Sequence, residues 1–339
     1  MSISDDRLAG GPTIASLTDI PASSPGLSLR EALTIAANRP GPDRVAFGFA
    51  AATTLTVTSE LPIAADTTLD GTGTPITITG TGTLLHVTGD NVTITSLTVQ
   101  GGDSALRAIT VANLALHSLT LEQPTGDGLH VESCMHCEID DCRVDQAAGD
   151  PILLATSTDT YVRRAFVALA TKSGVVHGIE VQGSSQMHIL DSIVDPGTAW
   201  MIHLQDTTDS EVTGNVVDGG DTCIALTGST ARTTVFRNVA INPSTDSIYV
   251  DSTVADTTIT NNTFYNAPDI TDIGVNTTET NSLLSMSAAD FVSPATYDFH
   301  LIAGSTSIDM ATDVGQDMLP ASPARYLGAA PDLGAVESF

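Results

Sequence analysis

The chain has 339 residues, enough for one large domain or two ordinary ones, and its 41% apolar content excludes a disordered acidic tail. Forty acidic residues (Asp+Glu 40) against 12 basic ones give a net charge of −28, a field that repels nucleic acid and anionic membranes and excludes a nucleic-acid partner. No run of 18 apolar residues occurs, so membrane insertion is not expected, and the abundance of Thr, Ser, Asp, Gly and Val favours strands and turns over helices.

In chain order, the start MSISDDRLAGG lacks the basic and apolar runs of a secretory signal, which is therefore absent or already removed. The stretch PGLSLREALTIAANRPGPDRVAFGF, residues 25–49, predicts a capping helix. Ser28 and Glu31 give the S-x-x-E capping box, Leu29, Leu33, Ala36 and Ala37 an apolar face, and Pro40 a stop.

Beyond residue 50 a repeat takes over. Leu97, Leu119, Cys142, Ala165, Ser192, Asn215, Asn238 and Asn262 occupy equivalent positions 22 to 27 residues apart. A second strand keeps the same beat at Leu85, Leu106, Leu129, Ile152, Ile179, Ile202, Ile224 and Ile248. Units this short cannot bury a core singly, but stacked as coils of a solenoid they can. Asn215, Asn238 and Asn262 then lie one above another, with amides bonding along the stack. The expected organisation is a single domain: residues 1–50 as N-terminal segment and cap, 51–279 as coils, and 280–339 as an irregular closing segment.

The four cysteines include three in SCMHCEIDDC, beside His136. Zinc sites usually combine a CxxC with a second close pair, and only Cys223 remains elsewhere. Buried thiols, or one disulfide (Cys134–Cys137 or between coils), are the expected state. No glycine-rich phosphate loop follows a strand. The Thr-rich stretches near residues 53–83 do not persist as an ice-binding array would require.

Both ends of the chain resemble a known family. SLREALTIAANRPGPDRVAFGF resembles the N-terminal cap of CSLREA-type right-handed parallel β-helix proteins, with Leu27 where the motif has its cysteine. TLTVTSELPIAADTTLDGTGT is similar to their first full coil. The closing DFHLIAGSTSIDMATDVGQDMLPASPARYLGAAPDLGAVESF is similar to their last segment, through Ser307–Asp309 and Asp332–Glu337. The resemblance to this pectate-lyase-like, polymorphic outer-membrane-protein-like group implies an all-β fold, a right-handed parallel β-helix. That class includes lyases, glycoside hydrolases, epimerases, tailspikes and adhesins, so the resemblance implies a polysaccharide or glycan partner and an extracellular, cell-surface or phage-product setting. Such a solenoid is compatible with a monomer or a trimer.

Outward positions of one strand form columns with neighbours about 4.8 Å apart. The position after each aliphatic residue reads His86, Arg107, His130, Leu153, Glu180, His203, Ala225, Tyr249. Two residues further on come Glu132, Ala155, Gln182, Gln205, Thr227 and Asp251, and two before the aliphatic residue lie Asp127, Asp150, His177, Trp200, Thr222 and Asp246. Asp is the turn-forming default in that last column, and His177 and Trp200 break it in successive coils. The expected catalytic set is Glu180, His203, His177 and His130, since a carboxylate beside an imidazole fixes its tautomer or raises its basicity. The expected substrate-binding set is Trp200, Gln182, Gln205, Tyr249, Asp251, Glu132, Arg107 and Lys172. Trp200 would offer a platform for a sugar face, and Lys172 the basic rim of the long loop ALATKSGVVHG. Glu180 with Glu132 or Asp251 would be the two acids of a glycosidase. Alternatively, His130 or His203 would abstract a proton and Tyr249 would donate one, in a lyase or epimerase. Leu153 and Ala225 are expected to leave low gaps for a sugar ring. No dedicated metal ligands or cofactor are assigned from the sequence; Ca²⁺ is the cation the Asp column would hold. The rival reading is a non-catalytic glycan-binding adhesin or a purely structural solenoid.

Overall fold

A computed structural model of the protein describes residues 26–168, 177–195, 199–293, 298–305, 307, 308, 310 and 311, with the isolated residues 6, 16 and 197. The chain divides into two compact units, residues 1–170 and 171–339, each with parallel β-solenoid structure.

The first unit opens with the expected helix, Leu29–Asn38. Its capping box is complete: Glu31 N–H donates to Ser28 Oγ (3.1 Å) and Ser28 N–H donates to Glu31 Oε2 (2.8 Å). Leu29, Ala32, Leu33, Ile35 and Ala36 form its buried face. Three parallel sheets follow, each coil giving one strand to each. The first holds Leu61–Ile63, Leu85–Val87, Leu106–Ala112, the beginning of Leu129–Asp140, and Ile152–Ala155. The second starts at Asp43–Ala46 and ends at Thr158–Arg163. The third runs from Thr53–Val57 to Phe166–Ala168.

The second unit has the same plan. Its first sheet stacks Ile179–Gln182, Trp200–Gln205, Thr222–Thr227, Asp246–Val250 and Ile270–Asp272 in register. The second stacks Ser185–Leu190 through Thr278–Thr280, and the third Ile193–Asp195 through Leu283–Met286. Strand alternation sends Ile179, Val181, Ile202, Leu204, Ile224, Leu226, Ile248 and Val250 inward, and all eight are 0% exposed.

The turn between the second and third sheets explains the repeat. Ser96, Ser118, Asp141, Arg164, Asp191, Gly214, Arg237, Asn261 and Asn281 all have φ between 47° and 71°. A single left-handed residue makes the tight corner, and the next residue points into the core. In the second unit that next residue is the asparagine ladder. Asn215 Nδ2 donates to Asn238 Oδ1 and Asn238 Nδ2 to Asn262 Oδ1, both at 3.0 Å. The backbone N–H of Asn215 and of Asn238 donates to the same oxygens, and the amides also reach Ile189, Val212 and Val235 carbonyls. All three side chains are fully buried, and the ladder satisfies corner groups that would otherwise be orphaned.

The segment expected to be irregular from residue 280 begins with order. Leu283–Met286 adds a strand to the third sheet, and Phe291–Ser293 pairs antiparallel with Asp298–Leu301. Met286, Phe291 and Leu301 pack with Val216, Val239 and Ile241, covering outward positions of that sheet. The period fails there because the pairing changes from parallel to antiparallel. Residues 312–339, with the Asp332–Glu337 stretch, lie outside the described residues. Cys134 and Cys137 form a disulfide, while Cys142 and Cys223 are buried free thiols.

Candidate functional site

The register of the second unit places Glu180 opposite His203, and Gln182 opposite Gln205. The next pairings are His203 with Ala225, Trp200 with Thr222, and Ala225 with Tyr249. The columns read from the repeat are therefore columns of neighbours. Their chemistry is tighter than an open surface. Glu180 is 1% exposed and His203 4%, although both lie on the outward side of their strands.

Glu180 Oε2 is the centre of the cluster. His203 Nδ1 donates to it at 2.7 Å, and His177 Nδ1 lies 3.1 Å from the same oxygen. Gln182 Nε2 donates to the other oxygen, Oε1, at 3.0 Å. Thr227 Oγ1 lies 2.8 Å from His203 Nε2, so both nitrogens of that ring are engaged. The side chain of His177 is 18% exposed, which makes it the member of the trio nearest solvent. One ligand atom from each of His177, Glu180 and His203 lies within 4.8 Å of the other two, a set able to ligate a metal ion.

Aromatic rings close over this group. Trp200 meets His203 edge-on with ring centroids 4.5 Å apart, and His177 lies 5.0 Å from His203 and 6.0 Å from Trp200. Trp200 also stacks on Tyr249, at 6.4 Å and 25° between planes. Ala225, between His203 and Tyr249 in the ladder, has too small a side chain to hold these rings apart. The gap expected at Ala225 is filled, since Ala225 is 0% exposed. Burial, then the charges of Asp251 and Asp246, push the Tyr249 phenol up from its ordinary value, so it is protonated at neutral pH. Asp251 itself serves a turn: its oxygens accept from Ser252 N–H and the Thr253 hydroxyl. Gln205 and Gln182 are exposed at the rim.

His130, Glu132 and Arg107 belong to the first unit. His130 Nδ1 lies 3.0 Å from Asp127 Oδ2, and its Nε2 3.8 Å from Glu132. Arg107 stands between His86 and His130 in the ladder. Lys172 and most of its loop lie outside the described residues. The Asp column works in turns and as hydrogen-bond acceptors: Asp127 Oδ1 accepts from Asp150 N–H, and Asp246 Oδ1 from the Thr271 hydroxyl. Thr227 was not among the expected site residues. Its signal was its place in the column one coil beyond Gln205. A second cluster, His117, Glu138 and Asp140, gathers in the first unit, where Arg163 pairs with both acids and Arg164 with Asp140.

No helix among the described residues is long and apolar enough to cross a membrane. No curated protein matches this chain. Among solved structures, it is similar to the A-module of the mannuronan C-5 epimerase AlgE4 from Azotobacter vinelandii, at 14% identity and a TM-score of 0.44, over 76% of this chain and 94% of that one. It is similar to PfbA, a surface adhesin of Streptococcus pneumoniae, at 9% identity and a TM-score of 0.49, over 76% and 88%. It is also similar to the pectate lyase Pel9A, at 14% identity and a TM-score of 0.43, over 88% and 87%. The model of the family described as right-handed beta helix region matches residues 82–264. More than half of the chain thus fits one family, and the parallel coils of both units agree with it: the protein belongs to the right-handed β-helix family.

Proposed function

We propose that this is a carbohydrate-active β-helix protein that cleaves a polysaccharide outside the cell or at its surface, on the outward face of the first sheet of the second unit. The observation that carries the reading is Glu180 Oε2 held between two imidazole Nδ1 atoms, whose rings lie against Trp200, itself stacked on Tyr249. In this reading Trp200 and Tyr249 seat a sugar ring, and Gln182 and Gln205 bond its hydroxyls. His177, the trio member nearest solvent, meets the substrate as acid or base, and Glu180 orients it. Tyr249, protonated at neutral pH, is the proton donor to a leaving oxygen. That division of labour favours elimination over hydrolysis. A glycosidase needs two carboxyl groups facing the bond, and Asp251 is occupied in its turn.

One observation favours a binding role instead. Glu180 and His203 are nearly inaccessible, as expected if the trio braces an aromatic platform for glycan capture without turnover. A polysaccharide panel, assayed for new reducing ends and for unsaturated ultraviolet-absorbing products, separates the two. Cleavage is expected in the wild type and should fall at least about 100-fold in His177→Ala, in line with general acid–base contributions. Products formed equally well by His177→Ala and Tyr249→Phe would remove the assignment. Retention of a glycan with no product would establish the binding role.

A further inference from the structure

We propose that His177, Glu180 and His203 form a binding site for a divalent transition-metal ion of the zinc type, held by the two Nδ1 atoms and Oε2. The inference stands whether or not the face cleaves a glycan.

The donor set is the first argument. Two imidazole nitrogens and one carboxylate oxygen suit zinc and its neighbours, whereas Ca²⁺ takes six to eight oxygens. Spacing is the second. Around a tetrahedral ion with bonds of about 2.0–2.1 Å, adjacent ligand atoms lie roughly 3.3 Å apart. The separations from Oε2 are 2.7 Å and 3.1 Å, so these two edges need open by only about 0.2–0.6 Å to admit the ion, and the ligand atoms of all three residues lie within 4.8 Å of one another. The third argument is charge. Glu180 is buried, and among the described residues its ionisable partners are these two histidines, with no Lys or Arg. A cation that displaces the Nδ1 protons compensates that carboxylate directly. The His117–Glu138–Asp140 cluster makes the contrast: Arg163 and Arg164 already neutralise its acids, and it needs no metal.

The outer contacts fit as well. Gln182 holds Oε1 and leaves Oε2 to bind alone, while Thr227 holds Nε2 of His203 and turns its Nδ1 toward the centre. Such second contacts orient metal ligands and typically change affinity 10–100-fold. Three protein ligands leave a further coordination position for water or a substrate oxygen.

Trp200, the only tryptophan, lies against His203 and is a built-in reporter. Titration of the full chain with Co²⁺ alone should quench its emission saturably at one equivalent and produce the visible bands of a nitrogen- and oxygen-ligated ion. Zinc should displace the Co²⁺ and restore the emission. Affinity should fall by more than about 100-fold in Glu180→Gln and His177→Ala, by about tenfold in Thr227→Val, and not at all in His117→Ala. Should Glu180→Gln fail to fold, His177→Ala, at the more exposed ligand, decides. Absence of saturable quenching, binding unaltered by both ligand variants, or a sulfur-to-cobalt charge-transfer band would overturn the site. Stoichiometric metal with no polysaccharide cleaved would uphold it while removing the catalytic reading. Cleavage indifferent to chelators, with no Co²⁺ bound, would do the reverse.

Discussion

Asn238 sits between two other asparagines in a largely apolar core, and its amide makes four hydrogen bonds to the groups around it, accepting two and donating two. Removing it leaves Asn215 N–H and one Asn215 amide hydrogen without their buried acceptor and takes one donor from the Val212 carbonyl. Asn238→Ala should therefore cost about 2–4 kcal/mol in urea unfolding, far above the effect of an exposed Thr→Ala change. The cysteines make a second residue-level case. Burial first, then the charges of Asp140 and Asp141, push the Cys142 thiol up to about 12, and burial raises Cys223 further still. Folded protein at pH 8 should show no thiol reactive toward a disulfide reagent. Two should appear on denaturation without reductant, from Cys142 and Cys223, and more than two would contradict the Cys134–Cys137 bond. At this scale the sequence showed who neighbours whom, because strand period and coil period together fix every column. It did not show burial. Glu180 and His203 read as outward and solvated, and it is the lateral approach of His177 and Trp200 that encloses them. The corner column was also illegible: Ser96, Asp141, Arg164 and Asn261 share a backbone angle and no side-chain chemistry.

Elements were legible where local chemistry and tertiary need coincide. The helix Leu29–Asn38 has its start written in Ser28 and Glu31 and its end in Pro40, and both capping side chains are buried. Ser28→Ala should weaken this cap by about 1–2 kcal/mol. A solenoid loses stability locally, so amide exchange in the first coils should quicken about tenfold while that of the second unit is unchanged. Uniform acceleration throughout would show that the helix does not act as a local cap. The strands near the other end were missed. Leu283–Met286 stacks on Thr263–Tyr265 across a register shift that breaks the period, and the antiparallel pair of Phe291–Ser293 with Asp298–Leu301 has no equivalent one coil earlier to expose it by repetition. What identifies them is an outward apolar patch, Val216, Val239 and Ile241, that a solvated sheet would not carry.

At the scale of the whole molecule, a net charge of −28 repels polyanions, so under the proposed function neutral or weakly charged glycans are the expected ligands unless a cation intervenes. Family membership rests on the coils of residues 82–264 and says little about chemistry, because the same coils can carry very different side chains. What distinguishes this chain is one break in its own rule, His177 and Trp200 where the coils on either side place Asp150 and Thr222, and the enclosed carboxylate behind them. The claim that this break is the glycan site is tested most directly by the emission of Trp200, the only tryptophan, during titration with oligosaccharides of a polysaccharide that the protein binds or cleaves. A saturable change in emission, abolished in Gln182→Ala/Gln205→Ala protein that keeps its fold, is the predicted result. Binding or turnover of the same oligosaccharides with the emission of Trp200 unchanged would place the site elsewhere.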